Sequence, residues 1–193
     1  MTTMNISALT HFIATLLSIA GLSVLVTLAA IHASALYIVS FSIFGVALIL
    51  LYLASTLYHF IPQAHPAKRV FQFMDHAMIY ILIAGTYTPV ALIVLPPSWG
   101  WSIFGVIWGL AILGMTIKII GTRLPGWILT VLYLLMGWLI VVAFVPLRDA
   151  LLWENLTWLF FGGIFYTVGT IFFGLDKIYP RTGWYTFHDI FHV

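Results

Sequence analysis

Long apolar stretches dominate this sequence and restrict it to a membrane-embedded fold. Hydrophobic residues make up 63% of the 193 residues and charged residues 6%, whereas a soluble domain carries about 25% charged residues. A helix needs about 20 apolar residues to cross the hydrocarbon core of a bilayer. We therefore predict an all-α integral membrane protein, with residues 1–193 forming one transmembrane domain and a seven-transmembrane helix bundle. The predicted spans are 11–31, 36–60, 72–96, 100–120, 125–146, 152–173 and 184–193.

The last of these stretches, 184–193, covers only ten residues, about half of what a crossing helix needs. Either it enters the membrane only partway, or the chain was cut inside its seventh span. The terminal Phe191-His192-Val193 carries no polar cap or anchor, which favours a cut. We therefore expect a seventh helix that is incomplete at the chain end.

The basic residues indicate the orientation of the spans. With a cytoplasmic N-terminus, the outer connections contain Arg148 alone, and the cytoplasmic ones contain the other six basic residues: Lys68, Arg69, Lys118, Arg123, Lys177 and Arg181. Because cytoplasmic loops carry an excess of Lys and Arg, the N-terminus is predicted to be cytoplasmic. This topology is opposite to that of G-protein-coupled receptors. The seventh stretch also lacks a lysine for a retinal Schiff base.

The composition excludes several kinds of site. The chain contains no cysteine, so disulfides and Cys-based zinc or iron–sulfur sites are excluded, and any metal must be held by His and carboxylates. The net charge is +2, and the basic residues are scattered in pairs. The sequence therefore offers no basic patch for nucleic-acid binding.

Polar side chains converge at the cytoplasmic ends of three predicted spans. Ser55 and His59 close the second span, Asp75 begins the third, and His188 and His192 begin the seventh. The last two are spaced i, i+4, so both rings can reach one ion if the segment is helical. Three imidazoles leave a fourth tetrahedral position for water, as in catalytic zinc sites, although iron or manganese can use the same ligands. Asp75 is then a candidate general base, and Ser55 a candidate contact for the water, the substrate or a ligand.

Three segments also carry a family resemblance: S-T-L-Y-H at 55–59, D-H-A-M-I-Y-I-L-I-A-G-T-Y-T-P at 75–89 and H-D-I-F-H at 188–192. In these segments, and at 5–11, the chain resembles the bacterial hemolysin III family, within the wider group of progestin and adipoQ receptors and alkaline ceramidases. The resemblance implies a multi-pass protein of a bacterial cytoplasmic (inner) membrane with a cytoplasmic N-terminus. It also implies zinc held by His59, His188 and His192, with Asp75 and Ser55 beside the metal. The chain departs from the family in the early end of its last helix.

These observations lead to three candidate functions. The first is a zinc-dependent hydrolase, in which Asp75 and Ser55 act on the amide or ester of a membrane lipid that enters sideways between helices. The second is a sensor of membrane lipid state, or a receptor-like protein, with structural zinc. The third is a pore-forming cytolysin, which ranks lowest because the spans lack the charged face that lines an aqueous channel.

Each site residue also has a purely structural interpretation. Asp75 is a candidate N-cap of the third helix, Ser55 can bond back to the carbonyl of Leu51, and His188 and His192 can be interfacial. His76 is expected about 100° around the helix from Asp75, as a packing or supporting residue.

Further features have structural rather than catalytic interpretations. The segment 86–89 is interpreted as a proline kink or, alternatively, as the wall of a cavity. Gly162, Gly163 and Gly169 are expected to allow close helix packing. Three further histidines are interpreted as interfacial or in loops, without a role in the site: His11, His32 and His65.

Overall fold

The computed structural model describes residues 6–120 and 126–178, and every regular element in these ranges is helical. The third helix continues directly into a π-helical turn, Val90–Val94, and a 3-10 turn, Leu139–Ala143, separates the fifth and sixth helices. The helices are α1 (Ile6–His32), α2 (Ala35–Phe60), α3 (Lys68–Pro89), α4 (Pro97–Ile120), α5 (Gly126–Trp138), α6 (Phe144–Ala150) and α7 (Trp153–Ile178).

Six helical segments in the described residues are long and apolar enough to cross a membrane. Four of them are α1, α2, α4 and α3 with its π-helical turn; the others are Ile128–Ala150, which joins α5 to α6, and Trp153–Phe172 in α7. The prediction of an all-helical membrane protein is therefore confirmed, whereas the seventh predicted span, 184–193, lies outside the described residues.

The first three helices pack closely because small residues lie where they meet. The buried stripe of α1 consists mainly of small side chains, and an added Cβ at Gly85 in α3 would lie 2.9 Å from the Cβ of Ala47 in α2. At Gly45 in α2, an added Cβ would lie 2.9 Å from the Cβ of Leu22 in α1. Small residues that let backbones approach are the usual means of helix association in a bilayer.

The core is built around α3, which contacts α2, α4 and α5. Tyr80 is fully buried within it. The Tyr87 hydroxyl donates to the carbonyl of Gly137 at 2.8 Å and accepts from the backbone N–H of Ile140 at 2.8 Å. Tyr87 therefore provides hydrogen-bond partners for two backbone groups at the junction between α5 and the 3-10 turn. Such groups need partners from the protein, because water is scarce inside a membrane-embedded bundle.

The helix geometry changes directly after Pro89, where the π-helical turn begins. The hydroxyls of Thr86 and Thr88 donate to the carbonyls of Leu82 and Ala84 at 2.8 and 2.9 Å. Segment 86–89 thus marks an irregular helix, and two of its residues also line the cavity described below. The cavity-wall interpretation therefore applies to Thr86 and Tyr87, whereas a kink at Pro89 stays a prediction.

Two of the three glycines expected to pack closely on the sixth span, Gly162 and Gly163, make no tight contact among the described residues. An added Cβ at Gly162 would meet nothing within 4 Å, and at Gly163 it would make only ordinary contact with Trp138. Besides Gly45 and Gly85, the close approaches occur at Gly100, against the backbone of Ala91, and at Gly114. The sequence pattern on the sixth span did not show which glycines face a neighbour.

Gly114→Ala should destabilise the bundle by about 1–3 kcal/mol, as overpacking of a filled core does. The added methyl would lie 2.7 Å from Cδ1 of the fully buried Tyr80 ring. Gly109→Ala on the same helix is the matched control, because a Cβ there meets nothing within 4 Å. Thermal unfolding of the detergent-purified variants measures the difference. Equal midpoints for the two variants would contradict the packing described here.

Candidate functional site

A cavity of about 1550 Å³ runs alongside α3 and is bounded by residues of α2, α5 and α7. One end is polar and includes Ser55, Tyr58, Gln72, Asp75 and His76. The remaining wall is largely apolar and reaches Val94. Since Asp75 and Val94 are 19 residues apart on one continuous helical segment, the cavity extends about 28 Å along the axis of α3 and its π-helical turn.

Ser55 lies at the polar end with its hydroxyl buried. Its Oγ has no hydrogen-bond partner among the described residues, whereas the adjacent Thr56 Oγ1 donates to the carbonyl of Tyr52 at 2.7 Å. The interpretation that Ser55 bonds back to Leu51 is therefore wrong. A buried hydroxyl without a partner costs about 1–3 kcal/mol, which marks Ser55 as a position where a ligand can supply the missing bond.

Asp75 lies inside α3 rather than at its start. The helix begins at Lys68, so Asp75 is two turns beyond the first residue, and the interpretation as an N-cap is wrong. Its side chain is 13% exposed and lines the cavity. Nδ1 of His76 is 3.7 Å from the Asp75 carboxylate and 2.7 Å from the carbonyl of Gln72. His76 therefore stands beside Asp75, closer than the angle around the helix suggested.

His59 occupies the last turn of α2, and its Nε2 atom is buried. Its ring lies 4.8 Å, centroid to centroid, from the ring of Tyr58. Ser55 is one turn earlier on the same face of the helix. The structure thus places His59, Ser55 and Asp75 at the same end of the bundle, as the sequence analysis predicted.

Lys68 joins this end of α2 to the start of α3. Its side chain is buried, and Nζ donates to the carbonyls of Tyr58 and Ile61, the second at 3.1 Å. Nζ also lies 4.1 Å from the centroid of the Tyr58 ring. These carbonyls belong to the end of α2, where no intrahelical donor remains. Lys68 therefore caps α2 and fixes the turn that carries His59.

His11 lines the cavity as well, although the sequence indicated an interfacial or loop position for it. It is buried in α1, and its ring lies 5.4 Å from that of Tyr52 and 6.2 Å from that of His59, centroid to centroid. The sequence contained one signal for this position. His11 is three, four or seven residues from the small residues at positions 7, 8, 15 and 18, so it falls on the same face of α1 as they do.

Two of the three predicted metal ligands, His188 and His192, lie outside the described residues. Within 6–120 and 126–178, no group of three His, Asp or Glu side chains is arranged to hold a metal ion. The three-histidine site therefore stays a prediction, and the described part contributes His59, Asp75 and Ser55 to it.

Comparison with known proteins extends the resemblance over the whole chain. The family described as "Haemolysin-III related" matches residues 2–193. The chain belongs to the hemolysin III family. It is 43% identical to Hemolysin-3 of Bacillus cereus over 183 residues, which cover 94% of this chain and 83% of that protein. It is also 43% identical to the Hemolysin-3 homolog of Bacillus subtilis (strain 168) over 182 residues, covering 94% and 85% of the two chains. No solved structure is significantly similar.

Lys68→Met should lower the stability of this hemolysin III family protein by about 1.5–3 kcal/mol, the range for hydrogen bonds to a charged group. Arg69→Met is the matched control, because it removes the same charge from an exposed neighbouring position. Thermal unfolding in detergent gives the comparison. A loss of the same size in both variants would mean that the charge, rather than the cap on α2, is responsible.

Proposed function

We propose that this hemolysin III family member is a seven-span protein of the bacterial cytoplasmic membrane, with its N-terminus in the cytoplasm. Six candidate spans joined by short connections support the multi-pass part of the proposal. The basic residues support the orientation if successive spans alternate in direction. Lys68, Arg69 and Lys118 then lie at one end of the bundle, and Arg148 lies at the other.

Its proposed activity is the zinc-dependent hydrolysis of an amide or ester bond in a membrane lipid. The observation that carries this proposal is the cavity, which has polar groups at one end and a long apolar wall beyond them. Its volume of about 1550 Å³ exceeds the roughly 300–1,000 Å³ of ordinary small-molecule sites. A lipid fits this shape with its carbonyl at the polar end and its hydrocarbon along α3.

The residues at the polar end suit a zinc ion. His59, His188 and His192 would hold it, since neutral imidazoles are preferred zinc ligands. The buried, unpartnered Oγ of Ser55 supports a ligand at this place, and the carboxylate of Asp75 faces the same cavity. When bound, zinc acts as a Lewis acid on a carbonyl and on water.

Asp75 and Ser55 would carry out the proton transfer and the positioning. Asp75 takes a proton from the attacking water, whose oxygen forms the new bond to the carbonyl carbon. The C–N or C–O bond then breaks, and Asp75 returns the proton to the departing amine or alcohol. Ser55 orients the water or the carbonyl through its hydroxyl. The products are a carboxylic acid and the amine or alcohol.

Membrane lysis is the second candidate function. The observation in its favour is that the names of the two Bacillus relatives describe those proteins as Hemolysin-3 and its homolog. A lipid hydrolase can lyse a membrane through its products, whereas a pore does so without chemistry. Asp75→Asn separates the two, because only the first mechanism needs the carboxylate.

The orientation is testable because the chain contains no cysteine. Ser34→Cys places a thiol in the exposed link between α1 and α2, and Gln63→Cys places one in the link between α2 and α3. In intact cells, a membrane-impermeant maleimide should label the first thiol and not the second. Permeabilised cells provide the control in which both react. The reverse pattern would place the N-terminus outside.

Asp75→Asn should keep about one zinc per chain but lower lipid hydrolysis by about 10²–10⁴-fold, the contribution of a general base. His59→Ala should lose the metal. Elemental mass spectrometry of detergent-purified protein measures the zinc, and a panel of lipid amides and esters measures the hydrolysis.

Asp149→Asn is the matched control for Asp75→Asn. Asp149 is exposed and paired with Arg148 at the end of α6, so this variant should keep both zinc and activity. A wild-type protein without zinc would contradict the metal site. A zinc-loaded protein that hydrolyses nothing on the panel would contradict the hydrolase and favour a lipid sensor with structural zinc.

A further inference from the structure

The buried stripe of α1 contains one side chain unlike its neighbours. Near the start of the helix the stripe consists of Ser7, Ala8, His11, Thr15 and Ser18. Four of these are small, as close helix packing requires. His11 alone among them has a ring, and this ring contacts residues of α2. Burying an imidazole in an apolar bundle is costly, so such residues usually have a function.

The ring of His11 meets the face of α2 that carries the site. Tyr52, Ser55 and His59 are spaced i, i+3, i+7, so they share that face. His11 contacts two of them, with ring centroids 5.4 Å from Tyr52 and 6.2 Å from His59. The His11 and His59 rings are nearly perpendicular, at 89°. The edge of one ring therefore points at the other, which restricts how the His59 ring can turn.

The position of His11 also matches the depth of the site. It lies early in α1, and His59 lies in the last turn of α2, so the two meet at one end of an antiparallel pair. The carbonyl of His11 accepts a hydrogen bond from Thr15 Oγ1 at 2.8 Å. The Nδ1 atom of His11 is buried, and His11 lines the same cavity as Ser55 and Asp75.

We propose that His11 is a positioning residue that orients the His59 ring from α1. This inference rests on the proposed function, in which His59 holds zinc. A metal-ligating histidine needs a neighbouring group that fixes its ring, and loss of such a group costs about 10–100-fold in metal affinity. An apolar residue would fill the same space without the cost of desolvation, so the ring nitrogens of His11 are the feature to test.

The test compares variants that differ in polar atoms but little in size. His11→Phe keeps an aromatic ring and removes the nitrogens. His11→Asn keeps a polar atom near the position of Nδ1, and His11→Leu has the same number and branching of side-chain heavy atoms as Asn without a polar atom. His32→Phe is the matched control, because His32 is an exposed histidine at the other end of α1.

Zinc affinity by chelator competition and the visible spectrum of the cobalt(II)-loaded protein are the two measurements. We expect His11→Phe and His11→Leu to bind zinc about 10–100-fold more weakly than wild type, with an altered cobalt spectrum. His11→Asn should bind at least tenfold more tightly than His11→Leu, and His32→Phe should match wild type. A merely structural role would lower the thermal midpoint without changing the cobalt spectrum.

The outcomes separate this inference from the function on which it rests. Wild-type affinity and spectrum in His11→Phe would overturn the role of His11 and leave the zinc site intact. Absence of metal from the wild-type protein would overturn the zinc site itself. If His11→Phe does not fold, the comparison of Asn with Leu decides, and equal affinities for these two variants would overturn the inference.

Discussion

The cost of burying polar groups away from water governs where this protein keeps its polar side chains. Most described serine and threonine hydroxyls in the helices avoid that cost by donating to the carbonyl four residues earlier, as Thr15, Thr56 and Thr88 do. Ser55 does not, although it is fully buried. Ser40 shares this property, but it lies near the start of α2, about 22 Å from Ser55 along the helix axis. Among the residues that the structure describes, only Ser55 combines an unpartnered hydroxyl with a place in the cavity wall.

Short connections between antiparallel helices bring such residues together. The link between α2 and α3 spans 61–67, so the end of one helix and the start of the next share a depth. Lys68 strengthens this corner by donating to carbonyls that α2 cannot satisfy itself. Its amine remains bonded although it is buried, which is the condition for retaining a charge there. The cap therefore stabilises the corner between the two helices that carry His59 and Asp75.

The length of the apolar stretches was sufficient to predict the helical membrane fold, because a crossing helix needs about 20 such residues. The helix ends were less predictable. The helix α3 begins at Lys68 rather than at 72. A charged residue can take part in this buried first turn because its amine folds back and donates to carbonyls at the end of α2. The break after Trp138 was missed as well, because the segment Leu139–Ala143 contains neither Pro nor Gly.

The candidate site was also predictable in part, because its polar residues stand out at the ends of apolar stretches. Ser55, His59 and Asp75 were recognised because they are polar groups at the ends of apolar stretches, and the structure places them at one end of the bundle. Which face each side chain occupies could not be predicted, since a membrane helix is apolar on nearly every side and its periodicity is weak. His11 was missed on this account. Only the packing of α1 on α2 shows that its ring meets Tyr52 and His59.

The lipid substrate proposed above is consistent with the position of the polar end of the cavity, near the end of the bundle. The amide or ester of a membrane lipid lies near the boundary between headgroups and acyl chains, and the chains extend along the bilayer normal. The cavity has the same arrangement, with Ser55 and Asp75 at one end and an apolar wall that follows α3 to Val94. Polar residues cost less near this boundary than at the midplane, and water for hydrolysis is available there. Under the proposed function, a lipid would enter between helices without being inverted, and its carbonyl would meet the polar residues at the depth that it already occupies.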